Sequence, residues 1–94
     1  MLYSTRKKIN ILIDNIKYYA NKCDRLVSDD FDYYYKDWEL KYFKAVDDFD
    51  KAVDDFEYEI NTLWNRNFCK TTQKRLNYYL KKAGFKPRKI TAYI

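Results

Sequence analysis

KAVDDFDKAVDDFE, residues 44–57, is one heptad written twice with a single change, Asp50 becoming Glu57. Its period decides the local structure. In a strand an odd shift of seven would turn Phe49 and Phe56 to opposite faces, whereas in a helix seven residues make nearly two turns and keep them together. The repeat therefore reads as helix, with Phe49 and Phe56 in one core row, Ala45 and Ala52 in the next, and Val46 and Val53 beside them. Large beside small is the pattern by which facing layers interdigitate.

Working outward, the same row extends back through Tyr42, Trp38, Tyr35 and Phe31 and slips in phase through Ile60 to Leu63. Ser28, Asp29 and Asp30 offer a cap and first-turn carboxylates. A long helix over residues 29–67 follows. Upstream, Ile9, Leu12, Ile13, Ile16, Tyr19, Ala20, Cys23, Leu26 and Val27 repeat at helical spacing, which predicts a first helix over 5–27. Downstream, Thr71 or Thr72 is placed to cap a third helix over 72–83 with Leu76, Tyr79, Leu80 and Ala83 on its apolar face. Gly84 stands where a left-handed C-terminal residue is wanted, and residues 84–94 form a basic tail suited to an extended path. The single Gly and the single Pro both fall in that tail, so nothing earlier breaks a helix.

The fold expected is all-α: a long central helix packed antiparallel against an N-terminal and a short C-terminal helix, a coiled-coil-like bundle forming one domain. At about 1.5 Å per residue the outer two helices together match the central one, so each should cover half of it. A layer two helices thick cannot bury so wide an aromatic stripe, and a homodimer completing a four-helix layer is the expectation.

Charge runs in three blocks. Residues 1–28 sum to +4, residues 29–61 to −8 and residues 62–94 to +9, within a net charge of +5. The two cysteines, Cys23 and Cys69, lie far apart with no histidine anywhere, which excludes zinc spacing and favours reduced, buried thiols. Asp14 interrupts the first apolar run before a signal h-region or membrane span is complete, so a cytoplasmic chain is expected. The lean towards Lys, Asn, Ile, Tyr, Phe and Asp matches codons of an AT-rich genome.

Two surfaces follow from the blocks. The acidic one comprises Asp47, Asp48, Asp50, Asp54, Asp55 and Glu57, with Tyr33 and Tyr58 pointing outward as interface residues. It is either a solvated face neutralised by Lys51 at spacings of three and four, or a row of carboxylates standing in for phosphates before a basic groove. Carboxylates on one helix without glycine turns make a poor metal cage, and no metal or cofactor is expected. The basic surface comprises Lys74, Arg75, Lys81, Lys82, Lys86, Arg88 and Lys89, interleaved with Tyr78 and Tyr79. It would suit DNA or RNA phosphates with little sequence preference, or would neutralise the acidic helix.

Catalysis has no foothold. There is no histidine, no glycine-rich phosphate loop and no thiol partnered by a base, so a non-enzymatic binding protein is expected. Size, composition and segregated charge resemble the small inhibitors that phages and mobile elements direct at nucleic-acid-handling proteins, anti-CRISPR and anti-restriction proteins among them. That resemblance is one of character and transfers no residue roles. The functional expectation is such an inhibitor, engaging its target or a nucleoprotein complex through the acidic helix. The alternatives are direct DNA or RNA binding through the basic C-terminal region, and a structural coiled-coil assembly factor.

Overall fold

A computed structural model describes residues 2–28, 36–66 and 69–92. Among them the regular structure is entirely helical: α1 (Tyr3–Ser28), α2 (Lys36–Arg66) and α3 (Lys70–Lys82). The expected start of the central helix at residue 29, Phe31 and the tyrosines at 33–35 lie outside the described residues, and Ser28, expected as the cap of that helix, is the last residue of α1. So does the side chain of Trp38. The start of α3 differs from expectation, because Thr71 and Thr72 lie inside its first turn rather than before it. Cys69 is the N-cap, extended at φ −100° and ψ 124°, and its carbonyl accepts the first helical bond from the Gln73 amide at 3.1 Å.

α1 and α2 run in opposite senses. Lys8 Nζ meets Glu59 Oε2 at 3.1 Å near one end, while Asn15 and Tyr19 share a cleft with Asp48, Lys51, Ala52 and Asp55 further along. α1 thus reaches well past the middle of α2, beyond the half that helix lengths alone assigned to it. The seam is apolar and closed: Ile9, Ile13 and Ile16 of α1 join Ala52, Phe56, Ile60 and Trp64 of α2 in one buried cluster. Each large side chain enclosed there contributes about 1.5–3 kcal/mol. Steps of four from Ala52 to Trp64 overshoot a full turn by about 40° each, so the buried row winds round α2 by about 120°. That winding carries it from the α1 side to Trp64, which the guanidinium of Arg88 covers at 5.6 Å from the ring centroid.

α3 and the segment after it complete the core. Leu76, Tyr79 and Leu80 join the cluster, with Ala83, Phe85 and Ile90 packed against it. The helix ends in a Schellman motif: the Gly84 amide donates to Lys81 O at 3.0 Å and the Phe85 amide to Leu80 O at 2.8 Å, with Gly84 at φ +90°. That left-handed turn drops Phe85 onto Phe56, rings stacked 5.6 Å apart.

Beyond it the chain lies along α3, clasped by two side-chain amides one turn apart. Asn77 accepts from the Arg88 amide and donates to its carbonyl, both at 2.8 Å. Gln73 Oε1 accepts from the amides of Thr91 at 2.9 Å and Ala92 at 3.1 Å, while its Nε2 donates to Thr91 Oγ1. Gln73 is 1% exposed, the buried polar residue of the described core, and its bonds offset the cost of placing an amide there.

The molecule is long and thin, 57 × 24 × 16 Å, with a radius of gyration of 16.7 Å. A compact chain of about 100 residues has about 13 Å. The core is concentrated where α3 and the tail meet the α1–α2 hairpin. At the other end the hairpin is a two-helix arm, with Cys23, Leu26 and Tyr42 half-buried and Leu40 and Phe43 of α2 exposed at 71% and 59%. The stripe too wide for a two-helix layer is thus covered at one end within a single chain.

Replacing Gln73 with alanine strands the Thr91 and Ala92 amides and should cost about 1–3 kcal/mol. A lower urea midpoint together with faster hydrogen exchange at those two amides, and slower change elsewhere, is the expected result. Unaltered exchange there would show that the clasp does not hold the tail.

Candidate functional site

At 100° per residue, Leu40, Phe43, Asp47, Asp54 and Tyr58 fall on the side of α2 opposite Ala52 and Phe56. All five are exposed, Tyr58 at 72%. Asp50 and Glu57 stand on one flank of this row. Asp48 and Asp55 stand on the other, bordering the cleft with Asn15 and Tyr19 of α1. Of the acidic residues singled out from the sequence, the structure therefore aligns Asp47 and Asp54 with Tyr58 and splits the rest to either side. Tyr33 lies outside the described residues.

Among the described residues the ion pair between helices is Lys8 with Glu59, and Asp47, Asp48, Asp50, Asp54, Asp55 and Glu57 close none. The pairs that Lys51 could make at spacings of three and four are not formed, although it lines the cleft beside Asp48 and Asp55. An exposed helical pair is worth only a few tenths of a kcal/mol, too little to hold two long side chains in register. Counting Glu59, seven carboxylates occupy residues 47–59, an axial length of about 18 Å. They spread round more than half of the helix, and on the outer row itself Asp47 and Asp54 stand about 10.5 Å apart.

The basic residues divide differently. Lys74 and Lys81 stand on the outer face of α3 with Tyr78; Arg75 and Lys82 stand on the edge that carries Tyr79 towards α1. Lys86 and Lys89 are exposed on the tail. Arg88 is different in kind, half-buried over Trp64 with its backbone held by Asn77, so it packs the tail into the core.

Across from the α3 edge, Tyr3, Arg6, Lys7 and Asn10 of α1 line an open groove of about 580 Å³ that Tyr79 closes below and Ile11 and Asp14 border. From α3, Lys82 Nζ donates to Oδ1 of the lining residue Asn10 at 2.9 Å. Sequence reasoning missed the α1 wall. The N-terminal positive block was visible, but which helix it would face was not.

The cysteines are free thiols, both half-buried rather than enclosed as expected. Burial pushes the Cys23 thiol above its ordinary value, and Asp24, Asp50 and Asp48 add to the rise against Lys22. Cys69 moves the other way: the amides of Thr72 and then Thr71, at the start of α3, hold its thiol below the ordinary value, as a helix N-terminus favours an anion. A depressed thiol pKa favours the folded state as pH rises through it, and that gain is lost on acidification.

Among the described residues no group of three or more Cys, Asp or Glu is arranged to hold a metal ion, and no helix is long and apolar enough to cross a membrane. Between pH 7 and 8, iodoacetamide should alkylate Cys69 several-fold faster than Cys23, since rate follows thiolate fraction. Peptide mass spectrometry of partly alkylated protein reads the ratio, and equal rates would contradict the opposed shifts. No protein-family model matches the chain, and neither a curated protein nor a solved structure is significantly similar to it.

Proposed function

We propose that this is a non-enzymatic binding protein that presents the outer face of α2 to the basic groove of a nucleic-acid-handling protein, in the manner of the phage and mobile-element inhibitors it resembles in character. The observation that carries the proposal is the set of six carboxylates on α2, Asp47, Asp48, Asp50, Asp54, Asp55 and Glu57, that close no ion pair within 4 Å. An acidic face already bound to lysines of its own chain would have to give them up first. This one is available at no such cost. The target's Lys and Arg side chains would meet Asp47, Asp54 and their flanking acids, while Tyr58 supplies amphipathic contact area beside them.

The test replaces Asp47, Asp48, Asp54 and Asp55 together with asparagine, which keeps shape and removes four charges. Immobilised protein is offered a nuclease-treated bacterial lysate. A nucleic-acid-handling protein that the original captures, that heparin displaces and that the variant binds at least about tenfold more weakly (about 1.4 kcal/mol) is the expected result. Capture unchanged by the substitutions rules the acidic face out.

The exposed pair Leu40 and Phe43 favours, in addition, a homodimer joined at the two-helix arm. Two apolar side chains one turn apart, on an arm too thin to cover them, gain most by packing against their own copies. Light scattering should give twice the 11.6 kDa chain mass, falling to one chain when both are changed to serine. A monomer at 100 µM scale concentrations would dismiss it.

A further inference from the structure

The groove between α1 and α3 has a chemistry opposite to that of the acidic face. Arg6 and Lys7 line its α1 wall. On α3, Arg75 precedes Tyr79 by four residues and Lys82 follows it by three, so all three share one edge. Two cations, Arg6 and Lys7, therefore line the groove against one carboxylate, Asp14, Lys82 reaches its Asn10, and Arg75 stands on the same edge of α3. The Lys82 ammonium spends one donor on Asn10 and keeps two. Aromatic surface lies among these charges: Tyr3 at one lip is 73% exposed, and Tyr78, edge-on to Tyr79 at 5.3 Å, is 61% exposed on the outer side.

We propose that this groove binds single-stranded nucleic acid, its cations meeting phosphates and Tyr3 and Tyr78 stacking on unpaired bases. Single strands fit better than duplex for two reasons. Stacking requires bases whose faces are free, and a ring held on a helix edge has no access to bases already stacked in a duplex. The cations also line a concavity between two helices rather than a projecting helix that could enter a major groove about 12 Å wide. A mononucleotide would use only part of the surface, because Lys74, Lys81, Lys86 and Lys89 continue the positive track beyond the groove over α3 and the tail. The site lies apart from the acidic carboxylates and stands whether or not they bind a protein.

The experiment is fluorescence anisotropy of a fluorescein-labelled oligo(dT) of 15 nucleotides with the full chain. With four phosphates neutralised, log K should fall with log salt at a slope of about −3, or about 50-fold weaker binding from 50 to 200 mM. Changing Arg6 and Lys7 together to glutamine should weaken binding about fivefold or more and flatten the slope by about 1.4. Tyr3→Ala should weaken it about fivefold with the slope unchanged.

The control is Lys22→Gln with Arg25→Gln, which removes equal charge from the far end of α1 and should change affinity less than twofold. Asp47→Asn with Asp54→Asn should likewise be silent at 0.15 M salt, where charges more than about 8 Å apart are screened. All substituted side chains are exposed, and circular dichroism checks that the helices persist. Equal losses in the groove and control variants, tighter binding to a duplex of the same length, displacement by poly-glutamate as readily as by unlabelled oligo(dT), or no binding at 50 mM salt would each overturn the proposal.

Discussion

Phe56 is fully enclosed and stacked on Phe85, and that ring pair is where α1, α2, α3 and the tail converge. The contact exists only because Gly84 reverses the chain in a left-handed turn immediately before Phe85. No β-carbon-bearing residue adopts that backbone without strain. From the ring pair the tail is carried along α3, where Asn77 and Gln73 satisfy its backbone groups as a neighbouring strand would. A short helix of 13 residues, marginal alone, is thereby held between the hairpin and its own tail. Four weak pieces become one core.

That concentration of packing has a cost elsewhere along the molecule. Among the described residues the arm formed by the later part of α1 and the earlier part of α2 receives no third helix, and of its apolar side chains Cys23, Leu26 and Tyr42 stay half-buried and Leu40 and Phe43 exposed. The same asymmetry sorts the charge. Asp47, Asp50 and Asp54 occupy the side of α2 turned away from Ala52 and Phe56, with Asp48 and Asp55 at the α1 cleft, while Arg6 and Lys7 of α1 line a groove at the core end that Lys82 of α3 reaches through Asn10. Opposite fields on separate surfaces of a chain this thin can each steer a different partner, because at physiological salt they reach only about 8 Å into solution.

Much of this was legible in the residues. The period of seven in residues 44–57 identified a helix and its buried Ala45, Ala52 and Phe56, and the spacing of Ile9, Ile13 and Ile16 identified the face of the first helix. Gly84 marked the end of the third. Gln73 was not legible: nothing in its neighbours signals burial, since the partners that make burial tolerable are amides 18 and 19 residues later. Arg88 looked like one more surface cation, and only the fold puts it over Trp64. Cys69 as an N-cap was likewise hidden behind two threonines that seemed better suited to the role.

By itself, the sequence determined that the chain is helical, which face of each helix is apolar, and that the acids of the repeat must fall on the rest of the central helix. Those properties depend on neighbours within a few turns, where 3.6-residue geometry leaves little choice. Only the tertiary structure decided that Glu59 meets Lys8 while the acids from Asp47 to Glu57 close no pair, that the tail is a strap on α3 rather than a free arm, and that Lys82 reaches Asn10 beside the groove lined by Arg6 and Lys7. Those outcomes join residues as much as 72 positions apart, and which of them meet is set by how whole helices pack, a choice that no local pattern encodes.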